Sequence, residues 1–312
     1  MLDAPPIDAL QFLPVLAEAT RLTPSDDIAG TLALADILLM AKRHIAVLGL
    51  LSRPARQWTG VERVQAELLL ARSWQGIGSI QTARRAYETA SRLAPSLDLG
   101  PALAALAEVE ATSVQSLFDV FADSFDEKLL GTLGYAIPGM LGGLLAELGV
   151  GDGLSILDMG CGTGLCAPSL APRAARLDGC DLSLNMLEKA AQRGGYSHLW
   201  WGDLLDVLSS WTAAWDLAVA TDVLLYIPDI EPLFARMATA LRPGGHFIFS
   251  VLTPAGDVEV ERRADGHHHH SDAYISRLIG QSGLSVSHWQ EITPRYENKQ
   301  PLEGRLVVAR RP

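Results

Sequence analysis

The sequence predicts a doubly wound, mostly parallel α/β sheet preceded by an all-α domain. Three observations carry this. From Leu154 onward, apolar runs alternate with helical stretches, the order that builds a parallel sheet covered by helices on both faces. Four of those runs end in or near an aspartate (Asp158, Asp181, Asp203 and Asp222), each about one strand–helix unit after the last. Before Thr112 the chain is rich in Ala, Leu, Arg, Glu and Gln and lacks strand-like alternation.

The totals agree. The chain has 312 residues, 48% hydrophobic and 20% charged, which is enough for two domains. A formal net charge of −11 lacks the basic face of a free-standing nucleic-acid binder, so no nucleic-acid partner is expected. The three cysteines, Cys161, Cys166 and Cys180, make neither a disulfide framework nor a zinc spacing, and they fit a reducing, cytoplasmic compartment. The start, MLDAPPIDALQFLPVL, has acids and prolines where a signal peptide has basic residues. Leu129 to Ala146 is uncharged over 18 residues, but five glycines, Pro138 and the adjoining Glu147 read as a loop entering a short buried helix. No membrane partner is expected.

In chain order, Ile28 to Thr112 is helical and punctuated by Pro54, Gly60, Gly76, Gly78, Pro95 and Pro101. Ala66 to Pro95 reads as two helices around a turn, with small residues that let them approach. Ala71, Gly78, Ala83, Tyr87, Ala90 and Pro95 resemble a tetratricopeptide repeat at its 34-residue spacing. The helices around Ile28–Leu51 and Pro101–Thr112 match that pattern poorly. The resemblance implies a module that binds a peptide or protein partner. A helical cap or a spacer accounts for the same residues, and both stay open, because such repeats need neighbours to bury their faces. The domains are then 1–112, helical; 113–150, a lid or linker; and 151–312, the α/β domain.

SILDM, ARLDGCD, HLWWGD, WDLAVATD and HFIFSVL are the expected parallel strands. The tail ITPRYENKQPLEGRLVVARR adds an antiparallel edge pair with Pro301 and Gly304 at its turn, seven strands in all. Ligands on such a sheet bind at the carboxyl ends of the strands. There the first strand runs into Gly160, Gly162 and Gly164, a turn that offers bare backbone near a helix start. A dinucleotide site wants G-x-G-x-x-G, but Leu165 stands at its third position. Asp158 would also repel a pyrophosphate and suits an amine. The spacing therefore tilts away from an NAD-linked oxidoreductase and toward an amino-acid-bearing nucleoside.

Asp158-Met-Gly160-Cys-Gly162-Thr-Gly164 resembles the first motif of class I S-adenosylmethionine-dependent methyltransferases. Asp181 with LSLNMLEKA, Gly202-Asp203-Leu204, Asp216 to Asp222, and Leu241-Arg-Pro-Gly-Gly245 with HFIFSV resemble its later segments, in order. Ser116 to Leu141 resembles the entry segment of the bacterial group that carries tetratricopeptide repeats in front. The resemblance implies a Rossmann-like fold and S-adenosylmethionine as cofactor. It implies that Asp158 and Gly160, Cys161, Gly162 and Gly164 hold the methionine end. Asp181 would grip the ribose hydroxyls, Leu182 and Met186 pack the adenine, and Asp203 and Leu204 bracket its amine, with Thr221 nearby. Tyr135 would belong to a lid, as would Phe118, Phe121 and Phe125, whose spacing is equally that of ordinary helix packing. Asp181 and Asp203 are also placed to cap helices. Cys161 and Cys166 read as small packing residues with no base beside them.

On the acceptor side, Asp222 and Tyr226 follow the fourth strand. Gly266 to Tyr274, GHHHHSDAY, follows the fifth, and His270-Ser271 is the part that matches the group. Asp222, Tyr226 and His270 are therefore the candidates to orient an acceptor or take its proton. Four adjacent histidines do not suit one metal; His268 and His270 have strand spacing for a chelating pair, but no metal is expected. The bland reading of the run is a solvated loop. Arg295 is placed near the mouth, where it would meet an acidic acceptor; its bland reading is a surface charge. The sequence thus reads as a methyltransferase for a small-molecule or peptide-borne acceptor. The alternative is a partner-binding protein with a structural or regulatory nucleotide site, against which intact Asp158, Asp181 and three glycines count.

Overall fold

A strand buried on both faces must be apolar throughout and must pair its whole backbone. That is how the runs after Leu154 behave in the computed structural model, which describes residues 7–8, 28–40, 44–51, 58–76, 80–112, 118, 125–263, 265–297 and 299–312. The chain divides into two units, Leu10–Phe121 and Met1–Ala9 with Ala122–Pro312.

In the second unit, the strands are β1 (Ile7–Asp8), β2 (Leu154–Met159), β3 (Ala174–Asp181), β4 (His198–Trp201), β5 (Trp215–Ala220), β6 (Leu241–Leu252), β7 (Val260–Arg262), β8 (His268–His270), β9 (Ser285–Ile292), β10 (Tyr296–Glu297), β11 (Gln300–Pro301) and β12 (Gly304–Arg310). The main sheet has the order β1-β4-β3-β2-β5-β6-β12-β9. From β4 to β6 every pairing is parallel, while β12 lies antiparallel between β6 and β9. Strand order reverses at β2, with β3 on one side and β5 on the other, so a crevice opens at the carboxyl ends of these strands.

The alternation of each strand feeds two cores. Leu157, Ala218, Phe247, Phe249 and Val307 face one layer, with Phe234 and Leu278. Ile156, Val219, Ile248 and Val308 face the other, with Leu141, Leu145 and Leu170. Phe234, Phe247 and Phe249 meet ring to ring with centroids 4.7–5.7 Å apart.

Three features depart from the sequence reading. β1 pairs antiparallel with β4, Ile7 opposite Trp201, and adds an eighth strand to the seven expected. A two-residue strand has no periodicity to read. The edge partner of β12 is β9, which precedes the stretch chosen as a strand pair; β9 is largely exposed and so lacks apolar alternation. Tyr296 to Pro301 instead makes the small β10–β11 ribbon. The histidine run is not a solvated loop: His268–His270 pairs with Val260–Arg262, and His269 and His270 are buried.

The 127–150 stretch holds a π-helical turn, Glu127–Thr132, and then a helix, Ile137–Glu147, that buries Ile137, Leu141, Leu144 and Leu145. Among the described residues, no helix is long and apolar enough to cross a membrane. In the first unit, α1 (Ile28–Met40), α2 (His44–Leu51), α3 (Gly60–Gly76), α4 (Ile80–Leu93) and α5 (Gly100–Thr112) are described. Ala71, Ala83 and Ala90 are fully buried, and Tyr87 donates to Gln75 Oε1 at 3.3 Å. Gly78 and Phe121 lie outside the described residues, and Phe118 belongs to this unit.

Phe249→Ala should cost about 3–5 kcal/mol in chemical denaturation, because its ring has no exposure and the hole cannot collapse between two other aromatics.

Candidate functional site

The crevice is built on backbone that only glycine tolerates cheaply. Gly160, Gly162 and Gly164 have φ of +61°, +53° and +83°, the left-handed region. A Cβ on Gly160 would stand 2.5 Å from Val223 Cγ2, so the turn after β2 is pressed against the segment after β5. Among the described residues, the Cβ position over Gly162 meets Phe125, at 3.7 Å.

Two carboxylates flank the turn. Asp181, at the end of β3, accepts from the Gly162 N–H through Oδ2 and from the Ser183 N–H through Oδ1, both at 2.9 Å. It thereby ties the glycine turn to the next strand. Ser183, not Asp181, caps the following helix (Leu184–Arg193) by accepting from Met186 N–H at 3.2 Å. Asp158 is 2% exposed and accepts from the Tyr196 hydroxyl at 2.7 Å. Burial raises its carboxyl to about 7; the Tyr196 hydrogen bond pulls down, and Asp181 pushes up. Burial also raises the thiols of Cys161, Cys166 and Cys180, which keeps them protonated.

The remaining candidates surround this pair. Leu182 is half-buried, and its carbonyl accepts from Trp201 Nε1 at 3.0 Å. Met186 is fully enclosed. Asp203 is exposed and caps the helix Leu204–Ser209, accepting from Leu205 N–H at 2.8 Å, while Leu204 is buried. Cys166 Sγ lies 3.4 Å from Thr221 Oγ1, and Thr221 also shares a hydrogen bond with Tyr135. Burial holds the Tyr135 phenol well above its usual value, so it stays neutral. The segment before it is fastened to the turn: Asp126 pairs with both Thr163 Oγ1 and Arg193, and Arg193 Nε donates to the Thr163 carbonyl at 2.8 Å.

Beyond β5 the chain turns sharply. Asp222 has φ +58°, a strain aspartate tolerates better than most, and its N–H donates to Ser250 Oγ at 2.8 Å. Arg295 is 3% exposed, which overturns the surface-charge expectation. It pairs with Asp222, donates to Glu297 Oε1 at 3.1 Å and bonds Tyr226. Burial alone would depress Arg295, but Asp222, Tyr226 and Glu297 outweigh it and hold the guanidinium above its usual value. Backbone bonds clamp the same corner: Ala136 N–H donates to Pro294 O at 3.0 Å and Tyr296 N–H to Leu133 O at 2.7 Å.

Of the histidines, His267 stands edge-on to Tyr226, with ring centroids 5.2 Å apart and Nδ1 3.1 Å from Asp265 Oδ2. Ligand atoms of Asp265, His267 and Glu297 lie within 4.8 Å of one another, although Glu297 is engaged by Arg295. His269 bonds the Thr253 carbonyl at 2.9 Å. His270 has no exposure, stacks on Tyr274, and has its protonation pushed down to about 4, first by burial and then by His268. Sequence reasoning missed Tyr196, Arg193, Ser250 and His267 as site neighbours. Only the aromatic Tyr196, just after two glycines, left any signal.

The reversed strand order and the glycine turn with its flanking acids make a Rossmann-like domain. Residues 157–247 match the family model described as a methyltransferase domain. The chain is similar to the malonyl-(acyl-carrier protein) O-methyltransferase of Serratia marcescens, 32% identical over 128 residues, 39% of this chain and 50% of that one. It is also similar to the ubiquinone biosynthesis O-methyltransferase of Idiomarina loihiensis, 32% identical over 104 residues, 32% of this chain and 43% of that one. The chain thus spans about half the length of the curated relatives it matches. A solved structure from Haloferax volcanii, of a methyltransferase with the Trm112 methyltransferase activator, shares the fold: TM-score 0.53, 20% identity, 64% of this chain and 100% of that one.

Arg295→Met should cost about 3–5 kcal/mol in denaturation, since it leaves the Asp222 carboxylate buried without its cation. Adding Asp222→Asn should recover part of that loss.

Proposed function

We propose that the chain is a methyltransferase that carries the methyl group of S-adenosylmethionine to an oxygen of a small-molecule or peptide-borne acceptor. The observation that supports it best is the Gly160–Gly164 turn of positive φ with a buried carboxylate on each side. A cationic amino-acid end and a neutral ribose fit such a cradle, and a pyrophosphate does not. The choice of oxygen leans on the names of the Serratia and Idiomarina relatives.

In this reading the Asp158 carboxylate takes the ammonium of the methionine end, and the backbone of Gly160, Cys161, Gly162 and Gly164 lies along it. Asp181, fixed by the Gly162 and Ser183 N–H groups, would take the ribose hydroxyls in charge-assisted hydrogen bonds. Leu182 and Met186 pack against the adenine, Asp203 and Leu204 bracket its amine, and Thr221 and Tyr135 close the sulfur end. S-adenosylmethionine supplies a methyl group on a positive sulfur, an excellent leaving group. The protein's task is mainly alignment, which can supply roughly 7–11 kcal/mol. Asp222, Tyr226 and His270 are the candidates on the acceptor side, Asp222 and Tyr226 bound to Arg295 and His270 enclosed against Tyr274; a base there adds roughly 10²–10⁴-fold. The helical unit is read as a partner-binding module of the tetratricopeptide type. The three cysteines, none in a disulfide, fit a cytoplasmic setting.

Incubation with S-adenosylmethionine and either carboxylic-acid or phenol acceptors should release S-adenosylhomocysteine. No release with either class would overturn the O-methyl reading. Asp181→Ala should weaken S-adenosylhomocysteine binding by about 2–3 kcal/mol in calorimetry, roughly 30–150-fold, through loss of charge-assisted hydrogen bonds; unchanged binding would remove the ribose role.

Affinity should also depend on pH. A cation beside Asp158 favours its ionised form, so binding tightens as pH rises through about 7 and weakens roughly tenfold per unit below it. The unliganded fold runs the other way. A raised carboxyl contributes stability that is full below its ordinary value and lost as pH rises through about 7. Calorimetric titration and thermal melts from pH 5.5 to 8.5, about 1.5 units either side of 7, read both trends.

A further inference from the structure

Tyr196 is absorbed by none of the roles above. It follows Gly194 and Gly195, both with positive φ, which turn the chain back toward the sheet between the helix Leu184–Arg193 and β4. Its ring lies where two other glycines lack side chains. A Cβ on Gly179 would stand 2.9 Å from Tyr196 Cε1, and one on Gly164 would stand 3.0 Å from Cε2. Gly179 is the β3 residue directly opposite Asp158 of β2. The missing side chain at Gly179 therefore opens a slot beside Asp158, which Tyr196 fills together with Leu199 and Cys161. Its hydroxyl ends 2.7 Å from Asp158 Oδ2.

The other groups around Asp158 cannot take this part. Asp181 repels it, and Cys161 and Cys166 of the turn and Cys180 of β3 are thiols that burial keeps neutral. Tyr135, from the entry segment, is a neutral phenol whose side-chain bond goes to Thr221. Among the described residues, no cation reaches Asp158. Tyr196 is the donor that meets it, and its own phenol is held well above the usual value by burial and then by Asp158, so it keeps its proton.

We propose that Tyr196 is a positioning residue for cofactor binding: through the slot left by Gly179 its hydroxyl orients the Asp158 carboxylate toward the glycine turn and stabilises it in the charged form. The inference rests on the reading of Asp158 as the partner of the methionine ammonium. It extends that reading to a residue outside the glycine motif and makes the wedge between Gly164 and Gly179 part of the site.

The test uses the full chain and S-adenosylhomocysteine as the probe. Tyr196→Phe keeps the ring in its slot and removes only the donor. Calorimetric affinity is measured from pH 6 to 9 in the parent and in Tyr196→Phe, and each again with Asp158→Asn. The expected result is a rise in affinity that moves to higher pH in Tyr196→Phe: a one-unit shift from about 7 makes binding about fivefold weaker at pH 7 and about tenfold weaker at pH 6, with near recovery at pH 9. In the Asp158→Asn background, Tyr196→Phe should change affinity little. A loss equal at every pH, or equal in both backgrounds, would mean that the tyrosine only packs and would overturn the proposal. A ¹³C carboxyl titration of Asp158 without ligand gives a separate reading. The midpoint should rise on Tyr196→Phe; an unmoved midpoint also overturns it. If the parent binds no S-adenosylhomocysteine at any pH, the cofactor reading of Asp158 fails instead, and the carboxyl titration still decides the Tyr196–Asp158 pair.

Discussion

The site depends first on one hydrogen bond, from the Gly162 N–H to Asp181 Oδ2. A turn of three glycines with positive φ has little intrinsic preference for one shape. Asp181 removes that freedom by holding the middle of the turn from the neighbouring strand, with its other oxygen fixed by Ser183. The carboxylate is then oriented before any ligand arrives. The same bond joins the turn after β2 to the end of β3, next to the point where strand order reverses.

Steric pressure completes what that bond begins. Val223 presses on Gly160 from one side, and Tyr196 presses on Gly164 and Gly179 from the other. The glycines are thus needed twice, for their backbone angles and for the space they leave to larger neighbours. This is why Asp158 can be buried at all. A carboxylate enclosed without a donor would cost several kcal/mol, and the Tyr196 hydroxyl offsets part of that burial. The remainder shows as a carboxyl raised to about 7.

Across the crevice the organising group is Arg295. It gathers Asp222, Tyr226 and Glu297 from two segments far apart in sequence. The backbone bonds of Leu133 and Ala136 to Pro294 and Tyr296 bring the entry segment to the same corner. Such a buried cluster adds little net stability, because desolvation costs about what pairing returns. Its effect is to hold Asp222 in a left-handed conformation at the end of β5, with Tyr226 one short turn away.

Much of this was legible in the sequence because it rests on local patterns. Runs such as SILDM and HFIFSVL are apolar on both faces, and only a buried parallel strand satisfies them. The spacing of Asp158, Asp181, Asp203 and Asp222 reports strand ends, and three alternate glycines report a turn of left-handed backbone. What the sequence could not carry are contacts between distant segments. Ile7–Asp8 is too short for periodicity, and β9 is too exposed for apolar alternation. Arg295 reads as a surface charge until the hairpin folds over Asp222. The four histidines look alike in a row, and only the β7–β8 ribbon separates them, enclosing His269 and His270 and setting His267 against Tyr226. Tyr196 reaches Asp158 because Gly179 is its cross-strand neighbour, and strand register is a property of the assembled sheet.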